Sequence, residues 1–168
     1  MAATVEIDEQ NGAGAGSTTH NISNSNMGST DAPNLVAATY PITPGNNSFE
    51  KYFKLHVTAM GGSSKIDKIK IWRTGALGGA DVHATNARES AYGGAVSYSA
   101  PVATALSNAT QTMPTSEPTG ANLGIAGSLS GSLTTTGSSD YLVHQIQTDS
   151  GTTAGSTSTL HIQYDETA

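Results

Sequence analysis

Residues 51–73 read KYFKLHVTAMGGSSKIDKIKIWR, and the spacing of apolar side chains in this stretch decides the fold class. Phe53, Leu55, Val57 and Ala59 alternate with Lys54, His56 and Thr58. Successive side chains on a pleated strand point to opposite sides, so a period of two over this length predicts a strand with one dry face. After the turn residues 60–64 (MGGSS) the pattern resumes, with Ile69 and Ile71 on one side and Lys68, Lys70 and Trp72 on the other. Two alternating runs joined by a short Gly-Gly turn read as an antiparallel hairpin.

The same period recurs on both sides of this stretch. Val5 and Ile7 alternate with Glu6 and Asp8 in a short strand that stops at Gln10-Asn11-Gly12. In the run Tyr141 to Gln147, Leu142, His144 and Ile146 oppose Tyr141, Val143 and Gln145, and near the end Leu160, Ile162 and Tyr164 alternate with His161, Gln163 and Asp165. These last two runs are placed to pair antiparallel across residues 149–155. Between the clear strands, Gly75, Gly78, Gly79, Gly93 and Gly94 break the chain, with short candidate strands at Val82-His83 and Ala95 to Tyr98 and a weak helical pattern from Ala100 to Ala109. Ser, Thr and Gly disfavour helix throughout, the first two by bonding nearby backbone and Gly by about 1 kcal/mol relative to Ala. The expected fold is therefore all-β, an antiparallel two-sheet β-sandwich of immunoglobulin-like or jelly-roll type. The low-complexity run at Gly12, Gly14 and Gly16 reads as a flexible N-terminal arm. That divides the chain into an N-terminal strand and arm at 1–27 and a sandwich domain at 28–168, the size of one ordinary domain for 168 residues.

Composition narrows the function. A formal charge of −6 with only 7 Lys and Arg lacks the basic surface that phosphate binding requires, so no nucleic-acid partner is expected. Lys65, Lys68 and Lys70 fit a strand edge guarded against mispairing. No cysteine is present, which excludes disulfides, thiol nucleophiles and zinc–thiolate sites. No run approaches the length of a membrane span, and with no export signal legible the expectation is synthesis in the cytoplasm. The glycines at 12, 14 and 16 lack the strand, helix and lysine of a phosphate loop. His56, His144 and His161 lie on predicted strands but in no ligand pattern, and His144 alone shares a face with Leu142 and Ile146, so a core histidine and two surface ones are expected, with no metal and no cofactor. Asp31, Asp81, Asp140, Asp165 and Glu166 are loop or strand-end acids, and Asp31 and Asp140 stand where an acid bonds its own backbone in a turn or before a strand. No nucleophile has a placed base, so no enzymatic activity and no catalytic residue is expected. Trp72, with Tyr92 and Tyr98, is the aromatic surface to consider; a lone Trp suits an interface anchor better than a sugar platform.

Five strings carry a resemblance: 28–35 (GSTDAPNL), 41–52 (PITPGNNSFEKY), 66–72 (IDKIKIW), 139–145 (SDYLVHQ) and 163–166 (QYDE). Together they resemble small structural proteins encoded among the morphogenesis genes of tailed bacteriophages and cyanophages. The resemblance implies a virion component that cements or decorates a capsid, with a tail, baseplate or collar component as the alternative and a receptor- or glycan-binding module as a third. Its implied partners are the major capsid protein or other virion proteins, and it implies a homo-oligomer in the assembled particle. The contact elements expected for such a clamp are Val5, Ile7, the arm at Gly12, Gly14 and Gly16, and Trp72 as anchor.

Overall fold

The computed structural model describes residues 1–89, 92, 111–153 and 155–168, with the side chains of residues 88, 89 and 111 left aside. The candidate strand at Ala95 to Tyr98 and the helical pattern from Ala100 to Ala109 lie outside the described residues. Among the described residues ten strands follow in order: β1 (Thr4–Asn11), β2 (Ser17–Thr19), β3 (Lys51–Ala59), β4 (Lys65–Thr74), β5 (Val82–Glu89), β6 (Gln111–Thr112), β7 (Ser132–Leu133), β8 (Gly137–Ser138), β9 (Tyr141–Gln147) and β10 (Thr159–Thr167). No helix forms among the described residues.

The strands make two antiparallel sheets, a β-sandwich as the alternation predicts. The larger sheet has the order β2-β1-β3-β9-β5-β6, with β8 also on β3, and the smaller has the order β10-β4-β7. β8 and β9 lie along one side of β3, interrupted where the Ser139 hydroxyl accepts from Leu55 N at 3.0 Å and Ser139 N donates to Leu55 O at 2.9 Å. Phe53, Leu55, Val57 and Leu142 of the larger sheet meet Ile66, Ile69 and Ile71 of the smaller one, all 1% exposed or less, and Met113, Leu123 and Ile125 close the core from the loops. Ile66 and Ile69 are three residues apart yet both point inward. A bulge makes this work: Gln163 pairs with Lys70 and Asp165 with Asp67, so β4 carries one extra residue, Lys68, at φ 51°.

Both expected hairpins are corrected. The turn at 60–64 carries the chain from one sheet to the other, because both sides of β3 are taken by β1 and by β8 with β9, while β4 is flanked by β10 and β7. β9 and β10 likewise belong to opposite sheets, and the intervening loop is tied to 45–46 by Gly45 N to Asp149 O and Thr148 N to Asn46 O, each 3.1 Å. Alternation fixes which face of a strand is dry, whereas the partner depends on loop geometry that it does not encode. β4 is consequently a central strand, so the edge-guard reading of its lysines gives way. Lys65, Lys68 and Lys70 instead pair with Asp67, Asp165 and Glu117 at 2.7–2.9 Å.

The arm is also corrected. β1 pairs with β3 from Thr4↔Ala59 to Gln10↔Tyr52, and residues 12–16 form the turn of the β1–β2 hairpin. Gly12 N donates to Asp31 Oδ2 at 2.6 Å, and the Tyr92 hydroxyl donates to Gly12 O at 2.6 Å. Gly16 has φ +62°, and a Cβ there would stand 2.6 Å from both Asn11 O and Tyr92 Cε1, so the turn needs glycine at this position.

Candidate functional site

Three arrangements stand out from the fold, and alternation along β1 and β3 sorts the residues that these two strands contribute to them. Odd-numbered residues of both strands face the other sheet and even-numbered ones face outward.

The first is a lateral seam. Val5 and Ile7, half-buried on the inner face of β1, stand across from Leu160, Ile162 and Tyr164 of β10. Together with Glu6 and Leu55 they line a groove of about 350 Å³. Among the described residues β10 pairs with β4 alone, so this nine-residue strand offers a second edge along the groove. Of the expected contact residues, Val5 and Ile7 thus sit in the seam, while Gly12, Gly14 and Gly16 lie in the hairpin turn at the far end of β1. Trp72 is elsewhere, on the outer face of the smaller sheet, where its ring stacks on His161 at 4.9 Å between centroids and 8° between planes. His161 Nε2 bonds Thr74 Oγ1 at 2.8 Å.

The second is a polar strip on the inner face, approached by the segment 25–42, in which Ala32 O accepts from Lys51 while Met27 and Ile42 line the adjoining cavity. Lys51 donates to Glu9 Oε1 at 2.5 Å and to Ala32 O at 2.7 Å, both side chains being essentially inaccessible. Burial pushes the Glu9 carboxyl above the usual range, with Lys51 and the Asn11 amide (2.8 Å) acting against it. Beside this pair His144 and His83 join Nδ1 to Nε2 at 2.8 Å. Burial, reinforced by the Arg73 charge, lowers His83 to about 4; burial, then His83 and Lys51, holds His144 well below the usual histidine value. Both rings are therefore neutral near pH 7. A neutral pair sharing one hydrogen bond leaves one N–H and one lone pair at its outer nitrogens, His83 Nδ1 and His144 Nε2, which have no partner among the described residues. The rings form part of the wall of a cavity of about 580 Å³ whose other sides include Met27, Ile42, Leu77 and Ile146.

The third lies on the outer face. Glu6 and Asp8 of β1, His56 of β3 and His20, just after β2, bring one side-chain oxygen or nitrogen each to within 4.8 Å of one another. His56 Nδ1 and His20 Nδ1 both approach Asp8 Oδ2 at 2.9 Å, and Glu6 Oε1 lies 3.2 Å from His56 Nδ1 and 3.5 Å from His20 Nδ1. Asp8 is 3% exposed, His20 61%.

The histidines expected on strands do not converge. His56 joins His20, His144 joins His83, and His161 joins Trp72. His144 is a core residue as its face predicts, and its ring is bonded to a second histidine, His83. Sequence reasoning passed over Glu6, Asp8 and His20. Their one legible signal is that Glu6 and Asp8 share a face, and the Glu6↔His56 register that completes the group is not encoded by periodicity. Asp31 and Asp140 are corrected in their partners, Asp31 accepting from Asn11 Nδ2 and Gly12 N and Asp140 from Gly127 N at 2.8 Å, while Asp81 accepts from Asp149 N at 2.9 Å and from the Thr152 hydroxyl. These acids fasten distant loops, so short-range turn logic misplaced their bonds. Compared with protein-family models, curated proteins and solved structures, the chain matches none.

Proposed function

We propose that this chain is a non-enzymatic structural protein of a tailed-phage particle, acting as a capsid cement or decoration protein that binds the major capsid protein lattice. The observation that carries the reading is the lateral seam. Val5, Ile7, Leu160, Ile162 and Tyr164 form a half-buried apolar row beside the second edge of β10. An extended segment of the neighbouring shell subunit would add a strand along β10 through main-chain hydrogen bonds and seat alternate apolar side chains in the groove. The long sandwich edge supplies the hydrogen bonds and the groove supplies the apolar area. Many such contacts around a shell must break together when heat or internal pressure expands it.

The experiment compares particles that lack the protein with the same particles after the purified chain is added back. The reading expects saturable binding at a fixed ratio to the shell subunit and a higher disruption temperature. Val5→Asp, which places a charge in the groove, weakens the binding. Particles equally robust with and without the protein contradict the cement role, and binding confined to isolated tails moves the chain to the tail.

A further inference from the structure

The assembly reading leaves the outer-face group of Glu6, Asp8, His20 and His56 without a purpose, and its geometry is specific. A tetrahedral ion of the zinc class, bonded to nitrogen and oxygen at about 2.0–2.1 Å, spaces neighbouring ligand atoms about 3.3 Å apart. The four carboxylate–imidazole separations in this group, 2.9, 2.9, 3.2 and 3.5 Å, bracket that spacing. Charge points the same way. Two carboxylates stand side by side, one of them buried, and among the described residues their ion pairs are to histidines alone. Lys54, the cross-strand neighbour of Asp8, puts its ammonium over the Tyr141 ring instead, 4.6 Å from the centroid. Both imidazoles turn their Nδ1 atoms toward the same Asp8 oxygen, the convergence a shared cation produces.

We propose that Glu6, Asp8, His20 and His56 form a four-ligand site for a divalent transition ion of the zinc class. Imidazole nitrogen is a poor partner for calcium or magnesium, which take oxygen ligands, and suits zinc, cobalt or nickel. Four protein ligands complete a tetrahedron, so the ion has a structural role. It joins the segment after β2 to β1 and β3, beside Ile22, whose N–H already donates to Ile7 O at 3.0 Å. The inference stands apart from the capsid reading: it holds for this sandwich wherever the protein acts.

The test uses the full chain, stripped with chelator and titrated with cobalt(II). The expected result is saturation at one ion per chain, with visible absorption of tetrahedral intensity that zinc displaces stoichiometrically, and a melting temperature that rises with zinc. His20 is largely exposed, so His20→Gln keeps the fold, which circular dichroism checks, while weakening cobalt binding by at least about tenfold. Asp8→Asn gives the same loss if it folds. The absence of saturable cobalt uptake overturns the site, as does an octahedral spectrum or uptake that His20→Gln and His56→Gln leave unchanged; each means that the four side chains only hydrogen-bond one another.

Discussion

Replacing Lys51 by Met isolates the energetics of the polar strip. Lys51 and Glu9 are 1% and 0% exposed and 2.5 Å apart, so removing the ammonium leaves a carboxylate in a water-poor site with Asn11 as its remaining donor among the described residues. Breaking one partner of a buried pair costs about 3–5 kcal/mol. For a chain of this size each kcal/mol moves the melting temperature by about 2–4 °C, so Lys51→Met lowers it by roughly 6–20 °C at pH 7. The penalty depends on pH with a definite sign. The Glu9 pKa is already raised in the folded state, and without Lys51 it rises further, so the cost is full above that pKa and shrinks as acid neutralises the carboxyl. Glu9→Gln combined with Lys51→Met removes both charges and restores most of the loss, short of about 1 kcal/mol for the Ala32 carbonyl left without its donor. Urea denaturation of the wild type, both single variants and the double variant at pH 7 and pH 5 closes the cycle. A Lys51→Met loss below about 1 kcal/mol, or a double variant worse than the sum of the singles, refutes the pairing argument.

Folded His83 titrates at about 4 against 6.5 unfolded, and His144 is lowered too, so as pH falls from 6.5 toward 4 the unfolded chain takes up protons first and stability drops, by roughly 3 kcal/mol for His83 alone. His83→Gln with His144→Gln flattens that slope in urea melts between pH 7 and pH 4, and parallel curves contradict the neutral-pair reading. Gly16→Ala costs about 1–3 kcal/mol, since the new Cβ meets Asn11 O and the Tyr92 ring at a left-handed φ; calorimetry showing an unchanged melting temperature removes that turn geometry. Ile69→Ala, at a fully buried position that only the Lys68 bulge turns inward, costs about 2–5 kcal/mol by chemical denaturation, and a loss below 1 kcal/mol places the side chain outside the core.

Periodicity made the strands legible. β1, β3, β4, β9 and β10 each announce a dry face through Val5 and Ile7, Phe53 to Val57, Ile69 and Ile71, Leu142 and His144, or Leu160 to Tyr164. Pairing was not legible, because residues 60–64 suit a crossing between sheets as well as a hairpin. The buried Lys51–Glu9 pair was hidden for another reason: charged side chains are almost never interior unless paired, and the pairing joins residues 42 positions apart. Within the outer-face group, Glu6 and Asp8 could be placed on one face from sequence, and His20 could not, since it follows a glycine-rich turn whose path depends on Asp31 and Tyr92. Of the groove, the dry face of Val5 and Ile7 is legible from alternation, but the row that faces it comes from β10, at the opposite end of the chain.

The copy number of this chain in purified particles, measured by quantitative mass spectrometry against the major capsid protein, distinguishes a shell-binding protein from the other readings. A cement or decoration protein is present at a fixed ratio near one copy per shell subunit or per small group of subunits. A count tens of times lower assigns the chain to the tail, and absence from the particle overturns the structural role.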